Sequence, residues 1–177
     1  RLSDFAKRAA FLKGYEQRRF QPFRANVPAM DLFPIELWAQ LTARRVRNLS
    51  RSMLLGCDAI GYRPFREAVA EYLSSSRGVV CKPEQVAIVS GMQEALDIAS
   101  RLFINPGDKV GVENPGYGGA VATFEAHGAK ISPLRVDEEG VAIDRRALRD
   151  CRMIYVTPAH QFPLGITMSL KRRLDLI

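Results

Sequence analysis

Apolar and polar positions alternate with two different periods along this chain. From Pro34 onward the apolar residues Ile35, Trp38 and Leu41 recur at spacings of three and four, which predicts a helix. A second helix is predicted to open at the stretch Gly61-Tyr62-Arg63-Pro64 and to end near Gly78. Downstream, strands are predicted at 86–89, 110–112, 131–136 and 153–157, and helices at 92–103, 117–126, 144–150 and 169–177.

Strands separated by helices require crossover connections, which favour a mostly parallel sheet covered by helices. The sequence therefore predicts an α/β fold with flanking helices. In open sheets of this kind ligands bind beyond the carboxyl ends of the strands. The loops that follow the predicted strands are accordingly the places where functional residues are expected.

The first part of the chain has a different character. Residues 1–30 are polar and weakly periodic, and we interpret them as a basic linker or arm ahead of a domain at 31–177. Residues 1–51 carry eleven basic and four acidic side chains, which account for the whole net charge of +7. This charge is typical of a segment that faces a partner or solvent. A solvated linker is favoured over contacts from Arg18, Arg19 and Arg24 to DNA phosphates.

Composition excludes several classes of protein. The 47% hydrophobic and 25% charged content is that of an ordinary globular protein. No apolar run reaches the roughly 18 residues that a membrane helix needs. The first residues lack the apolar core of a signal peptide. Three dispersed cysteines form no CxxC pair, which indicates reduced thiols, no metal site and a cytoplasmic protein.

Two loops after predicted strands could hold a ligand. Gly91, Met92 and Gln93 open a helix whose free N–H groups could bind a phosphate, although a plain strand-to-helix turn explains the same residues. Tyr117, in the stretch Asn114-Pro115-Gly116-Tyr117, could stack on a planar ligand or simply pack on its turn.

A third candidate is the segment from Tyr155 to Pro163, in which an apolar run ends at a proline and the polar pair His160 and Gln161 follows. Neither residue has a cysteine or acidic neighbour that would indicate a metal site. His127, at a predicted helix end, is interpreted as structural. The chain has no nucleophile-elbow pattern, so hydrolase chemistry is not indicated.

Taken in order, several motifs resemble the fold type I pyridoxal-phosphate aminotransferases, and more narrowly the aminotransferase-like domain of MocR-type regulators of the GntR superfamily. The motifs are Asp31-Leu32-Phe33-Pro34 with Trp38, Gly61-Tyr62-Arg63-Pro64-Phe65-Arg66-Glu67-Ala68, EQVAIVSGMQEALD at 84–97, Asn105-Pro106-Gly107-Asp108, Glu113-Asn114-Pro115-Gly116-Tyr117 and Val156-Thr157-Pro158-Ala159-His160-Gln161-Phe162-Pro163. The resemblance covers residues 30–177 and implies the N-terminal half of such a domain.

The resemblance also implies residue roles. The cofactor would be pyridoxal 5'-phosphate, with its phosphate on Gly91, Met92 and Gln93 and its ring stacked on Tyr117. Phe162 stands where aminotransferases place an Asn at the 3-hydroxyl edge of the ring. Phe cannot donate a hydrogen bond, so His160 or Gln161 would have to substitute.

Two further departures from the family pattern affect the expected activity. Gly56 and Cys57 stand near the position of a Tyr that reaches the neighbouring subunit's phosphate, which weakens the expectation of tight binding. The Lys that forms the Schiff base is expected beyond Ile177, so no catalytic residue is assigned and this chain alone is expected to be inactive.

Three functions remain open at this point. The first is the cofactor-binding effector domain of a MocR-type regulator that senses an amino acid or amine, forms a homodimer and binds DNA through an upstream domain. The second is part of a free-standing aminotransferase. The third is a non-catalytic dimerisation piece. The last predicted strand would also leave an unpaired sheet edge, so the isolated chain is expected to be aggregation-prone or rearranged.

Overall fold

The structure is a computed structural model that describes residues 1–9 and 28–177. Its contacts divide the chain into unit 1, residues 1–22 and 91–177, and unit 2, residues 23–90. The helices are α1 (Asp4–Arg8), α2 (Ile35–Arg47), α3 (Arg51–Leu54), α4 (Arg63–Arg77), α5 (Met92–Phe103), α6 (Gly118–Ala126), α7 (Arg145–Leu148) and α8 (Leu170–Leu176). The strands are β1 (Lys109–Asn114), β2 (Lys130–Asp137), β3 (Gly140–Val141) and β4 (Cys151–Tyr155).

Unit 2 is helical where the structure describes it. The predicted helices at Pro34 and at Arg63 are confirmed, and Gly78 ends α4 in the left-handed conformation that favours glycine. Short 3-10 turns cover Met30–Leu32 and Pro83–Gln85. The apolar side of α2 is exposed, with Trp38 at 63%.

A buried arginine holds the loops of unit 2 together. Arg66 is 3% exposed, and its guanidinium donates to the Gly61 carbonyl at 3.0 Å and to the Pro83 carbonyl at 3.1 Å. A third bond, of 2.9 Å, reaches the carboxylate of Asp58. A buried guanidinium needs such partners, because an unpaired charge out of water is strongly unfavourable.

Unit 1 contains the sheet, in the order β3-β2-β1-β4. Strand β1 pairs in parallel with both β2 and β4, and only the two-residue β3 is antiparallel, to β2. The mostly parallel sheet predicted by the alternation of strands and helices is therefore confirmed. Strand β4 is an edge of the described sheet, as expected for the last predicted strand.

Helices and loops cover both faces of β1, whose residues from Val110 to Glu113 are all buried. Val110 and Val112 face a core formed with residues of α5 and α6, among them Leu96, Ala120 and Phe124. Side chains alternate along a strand, so Gly111 and Glu113 face the opposite side. A smaller core, Leu134, Val141 and Met168, lies apart from the first.

Two details correct the predictions. Residues 86–89, all of which the structure describes, form no strand, because a strand needs a ladder. The Val86 N–H donates to the Pro83 carbonyl within a local turn, at 3.2 Å, and the Ile88 N–H donates to the Ile60 carbonyl at 2.9 Å, but no ladder continues from that bond. The antiparallel β3 was not predicted, since two residues are too few for a visible period. The interpretation of residues 1–30 as a linker stays a prediction, because 10–27 lie outside the described residues and Asp4–Arg8 is a short helix.

Candidate functional site at the carboxyl edge of the sheet

The ends of β1 and β4 bring two of the predicted loops together. The strands are parallel neighbours, with Val112 opposite Tyr155, so the loops that follow them leave the sheet at the same edge. The contact is direct: the rings of Tyr117 and Phe162 are 5.8 Å apart between centroids and stand at 88° to each other. This edge-to-face arrangement is a favoured geometry for aromatic pairs.

The position of Tyr117 depends on two glycines. A Cβ on Gly119 would lie 2.6 Å from the Tyr117 hydroxyl oxygen, so the ring rests on the backbone of the first turn of α6. A Cβ on Gly116 would collide with the carbonyl oxygen of Glu113. The turn between β1 and α6 thus has room for no larger residue at either position. The half-buried ring of Tyr117 is packed against its own turn on one side.

The start of α5 is an open helix N-terminus. Its N-cap residue is Gly91, which precedes the first helical residue, Met92, and has no side chain to cap the helix. A Cβ built on Gly91 would meet no atom within 4 Å, and its φ of 167° is extended backbone that any residue adopts. The side-chain oxygen of Gln93 is buried and meets no donor among the described residues. Open space and a helix N-terminus suit an anionic ligand group, whereas the Gln93 oxygen is an acceptor and needs a donor.

In the segment 157–163, the corner after β4, the two predicted polar residues differ in exposure. His160 is exposed, whereas Gln161 is 2% exposed and turned into the corner. The amide nitrogen of Gln161 donates to the carbonyls of Pro115, at 2.8 Å, and of Phe162, at 2.6 Å. Its oxygen accepts from the Leu164 N–H at 3.1 Å, which fixes the orientation of the amide.

These bonds change the interpretation of Gln161. Its side chain was predicted to face a ligand ring, but its amide is bonded to the carbonyls of Pro115 and Phe162 and to the Leu164 N–H. Replacing the missing Asn with Gln161 would require those bonds to break. His160 is the member of the pair whose side chain is exposed at this edge, and its contact with a ligand stays a prediction.

Glu113, the fifth residue of β1, was not predicted as a site residue. Its carboxylate is 3% exposed, and Oε2 accepts from the backbone N–H of Thr157 at 3.2 Å and from the Thr157 hydroxyl at 2.5 Å. Oε1 is buried and meets no donor in the part of the chain that the structure describes. The available signal was an acidic residue inside an otherwise apolar strand, because carboxylates are almost never fully buried without a reason.

A second ionisable group lies near Glu113. Tyr155, at the end of β4, packs edge-on against Phe124 with 6.1 Å between ring centroids. Burial raises the pKa of the Tyr155 phenol, and the negative charge of Glu113 raises it further. Tyr155 is thus a neutral hydroxyl well above neutral pH and reports on the charge of Glu113.

Two arginines of α8 bond that helix to its surroundings, and one of them, Arg173, reaches the corner. Arg173 donates to the carbonyls of Pro158, at 2.7 Å, and Met168, at 3.0 Å. Arg172 makes a bidentate pair with Asp137, with distances of 2.6 and 2.7 Å. Hydrogen bonds from Arg172, and then from the Glu139 N–H, lower the pKa of the Asp137 carboxyl.

Other candidates lie elsewhere. His127 caps the C-terminus of α6, contacts Asp97 at 2.7 Å and packs edge-on against Phe5, in agreement with a structural role. Across the described residues no cluster of three potential metal ligands occurs. None of the described helices is long and apolar enough to cross a bilayer.

Gly56 and Cys57 are exposed in unit 2. Arg18, Arg19 and Arg24 lie outside the described residues.

The sequence and the fold both match known proteins. The family Aminotransferase class I and II matches residues 22–171. The probable rhizopine catabolism regulatory protein MocR of Rhizobium meliloti is 40% identical over 88% of this chain and 31% of its own length. The HTH-type transcriptional regulator YdeL of Bacillus subtilis is 37% identical over 92% of this chain and 35% of its own length.

Among solved structures, the α-aminoadipate aminotransferase LysN of Thermus thermophilus, complexed with N-(5'-phosphopyridoxyl)-L-leucine, superposes with a TM-score of 0.73. It is 34% identical, and the match covers 87% of this chain and 39% of that one. The chain thus spans about a third of the length of the regulators it resembles, as their covered shares of 31% and 35% show. The partial aminotransferase fold predicted from the motifs is confirmed.

Proposed function

Because this chain belongs to the class I and II aminotransferase family, we propose that it is part of the pyridoxal-phosphate-binding effector domain of a MocR-type transcription regulator. The family supports pyridoxal phosphate as the cofactor. In the intact protein, the domain would sense the cofactor together with an amino acid or amine. A homodimer, and DNA binding through an upstream domain, are part of the same proposal.

The observation that carries the cofactor proposal is the uncapped start of α5. The N–H groups of its first turn would hold the phosphate, since the positive end of a helix dipole favours an anion. The open space at Gly91 leaves room for the phosphate oxygens. The cofactor, when bound, supplies an electron-withdrawing ring that stabilises negative charge on a substrate carbon.

Tyr117 would provide one face of the ring pocket. Its ring is braced by Gly119 and by the edge-to-face contact with Phe162, so it is held in one orientation before a ligand arrives. A preorganised aromatic surface lowers the entropic cost of binding a planar ligand. His160, exposed on the same corner, is the side chain proposed to contact the 3-hydroxyl edge.

The regulator is favoured by the similarity to MocR and YdeL, both of which are named as regulatory proteins. A free-standing aminotransferase is the second candidate, favoured by the superposition on LysN. A non-catalytic dimerisation role is compatible with either. The residues that precede Arg1 in the intact protein discriminate between the first two, because a winged-helix pattern there supports the regulator.

The experiment is a titration of the intact protein with pyridoxal phosphate, followed by the absorbance of the bound cofactor and by operator binding. A regulator is expected to bind the cofactor and to change its affinity for operator DNA when an amine is added. Transamination of amino acids without any DNA binding would favour the enzyme. If no cofactor binds, the effector-domain proposal is wrong.

A further inference from the structure

We propose that Glu113 is a positioning residue that joins the two walls of the ring pocket, the Tyr117 turn and the 157–163 corner. The inference rests on the proposed function for its consequence on cofactor binding. The structural link itself is independent of any ligand. No other described carboxylate is as deeply buried as Glu113, at 3% exposure.

The first step is the bond from β1 to the corner. Oε2 of Glu113 accepts both the backbone N–H and the hydroxyl of Thr157, the second residue after β4. The same hydroxyl oxygen accepts the Phe162 N–H at 3.2 Å. One carboxylate oxygen therefore determines where Thr157 lies, and Thr157 in turn determines where the backbone of Phe162 lies.

The second step is the return bond from the corner to the Tyr117 turn. The Gln161 amide lies 3.4 Å from Glu113 Oε2 and donates to the Pro115 carbonyl at 2.8 Å. Pro115 lies two residues before Tyr117 along the chain. The corner is therefore bonded to Glu113 and Pro115, at the β1 end of the turn that carries the ring, and the Tyr117–Phe162 contact joins the two walls further along that turn.

The third step concerns charge. No ion pair reaches Glu113 from any basic residue in the described ranges, and a buried carboxylate without a cation is unfavourable. All the bonds that it accepts go to Oε2, while Oε1 has no described donor. A glutamine could accept the same two bonds from Thr157. The positioning role therefore depends on an acceptor oxygen and not on the negative charge.

The test compares Glu113→Gln, Glu113→Ala and the surface control Glu125→Ala in the intact protein. The first readout is hydrogen exchange without cofactor at the amides of Thr157, Phe162 and Leu164. Loss of the acceptor in Glu113→Ala is expected to raise their exchange about tenfold, the value of one net hydrogen bond. Glu113→Gln is expected to rescue the exchange rates to within about threefold of the wild type, and Glu125→Ala to leave them unchanged, because its side chain is exposed on α6.

The second readout is the visible circular dichroism of bound pyridoxal phosphate, which reports the orientation of the ring. Glu113→Ala is expected to change this signal and to weaken binding about tenfold, whereas Glu113→Gln keeps both close to the wild type. If Glu113→Ala does not fold, Thr157→Val replaces it, since it removes the relaying hydroxyl with little change in shape. Thr157→Val is expected to raise exchange at Phe162 alone.

Each outcome decides the inference. Unchanged exchange at the corner in both Glu113→Ala and Thr157→Val would overturn it, as would a glutamine variant that behaves like the alanine variant. Raised exchange with rescue by glutamine supports it. If the wild-type protein binds no cofactor, the proposed function fails, while the exchange measurement still decides whether Glu113 positions the corner.

Discussion

The start of α5 and the corner at 157–163 were both predicted as ligand loops, yet their polar groups are used differently. At the helix start the N-terminus is uncapped, the space beside Gly91 is open and the oxygen of Gln93 is unmet. At the corner, Gln161 and Thr157 use their polar groups within the protein. The N–H groups of a helix start can hold an anion and an unmet acceptor oxygen can take a ligand donor, whereas satisfied groups fix the shape of the pocket.

The largest expected effect on stability comes from leaving polar groups of the corner without partners. Gln161→Leu has nearly the same volume but leaves the Leu164 N–H and the Pro115 carbonyl without their partner. Buried groups that lose a partner each cost about 1–3 kcal/mol, so the free energy of unfolding of the intact protein is expected to fall by about 3 kcal/mol. Chemical denaturation measures the change.

His160→Leu is the matched control, because it removes the exposed member of the same pair. Its effect on unfolding is expected to stay within about 0.5 kcal/mol, as for most surface substitutions. Equal destabilisation by both variants would show that the buried bonds of Gln161 do not support the corner.

The reverse change fills the open helix start. In Gly91→Val the added Cβ would meet no atom within 4 Å and the backbone angle is not unusual, so the fold is expected to remain stable. The added side chain would occupy the space proposed for the phosphate. The affinity for pyridoxal phosphate is expected to fall at least about tenfold, equivalent to roughly 1.4 kcal/mol.

Equilibrium binding, with thermal unfolding in parallel, measures the effect of Gly91→Val. Arg101→Gln, on the exposed far end of α5, serves as the control for a general effect on the helix. Full affinity in Gly91→Val would remove the start of α5 from the proposed site.

Features that depend on residues close together along the chain could be predicted from the sequence, and features that depend on distant residues could not. Helix α5 was predicted with the bounds that it has, and Gly78 ends α4 as expected, because periodicity and helix termini are local signals. The prediction of a strand at 86–89 was wrong for the opposite reason. An apolar run becomes a strand only when a partner supplies a ladder, and its apolar residues alone do not show whether one is present.

The same distinction applies to the site. Gly91 and Tyr117 stand out in the sequence because glycines punctuate the loops that carry them. The bond from Glu113 to Thr157 joins residues 44 positions apart, so no local pattern reveals it. Gln161 was recognised as polar and placed in the right loop, but the direction of its side chain depends on the Pro115 carbonyl, 46 positions away.

A smaller effect should separate the charge of Glu113 from its hydrogen bonds. The pKa of Tyr155 is raised first by burial and then by the Glu113 carboxylate. Glu113→Gln is therefore expected to lower the pKa of Tyr155, while burial keeps it above the ordinary phenol value of about 10. Near-ultraviolet titration, with Tyr155→Phe to identify the signal, measures the shift. An unchanged pKa would show that the two groups do not interact electrostatically.

The smallest expected effect concerns α8, the helix that follows the corner, where Arg172 pairs with Asp137. Hydrogen bonds from Arg172 and from the backbone hold the pKa of Asp137 below its unfolded value of about 3.9. A lowered pKa means that the pair stabilises the fold above the unfolded value and loses this contribution as the pH falls through the folded value. The difference in unfolding midpoint between the wild type and Asp137→Asn is thus expected to shrink on acidification below about pH 4.

The hydrogen bonds of Gln161 are expected not to respond to acid in this way. Asp137 pairs with Arg172, whereas the bonds of Gln161 join an amide to backbone groups and do not titrate. In Asp137→Asn at neutral pH, hydrogen exchange is therefore expected to rise at the Arg172 amide, at the start of α8, and to stay unchanged at Leu164. If Leu164 exchanges faster as well, the Arg172–Asp137 pair and the hydrogen bonds of Gln161 belong to one cooperative unit.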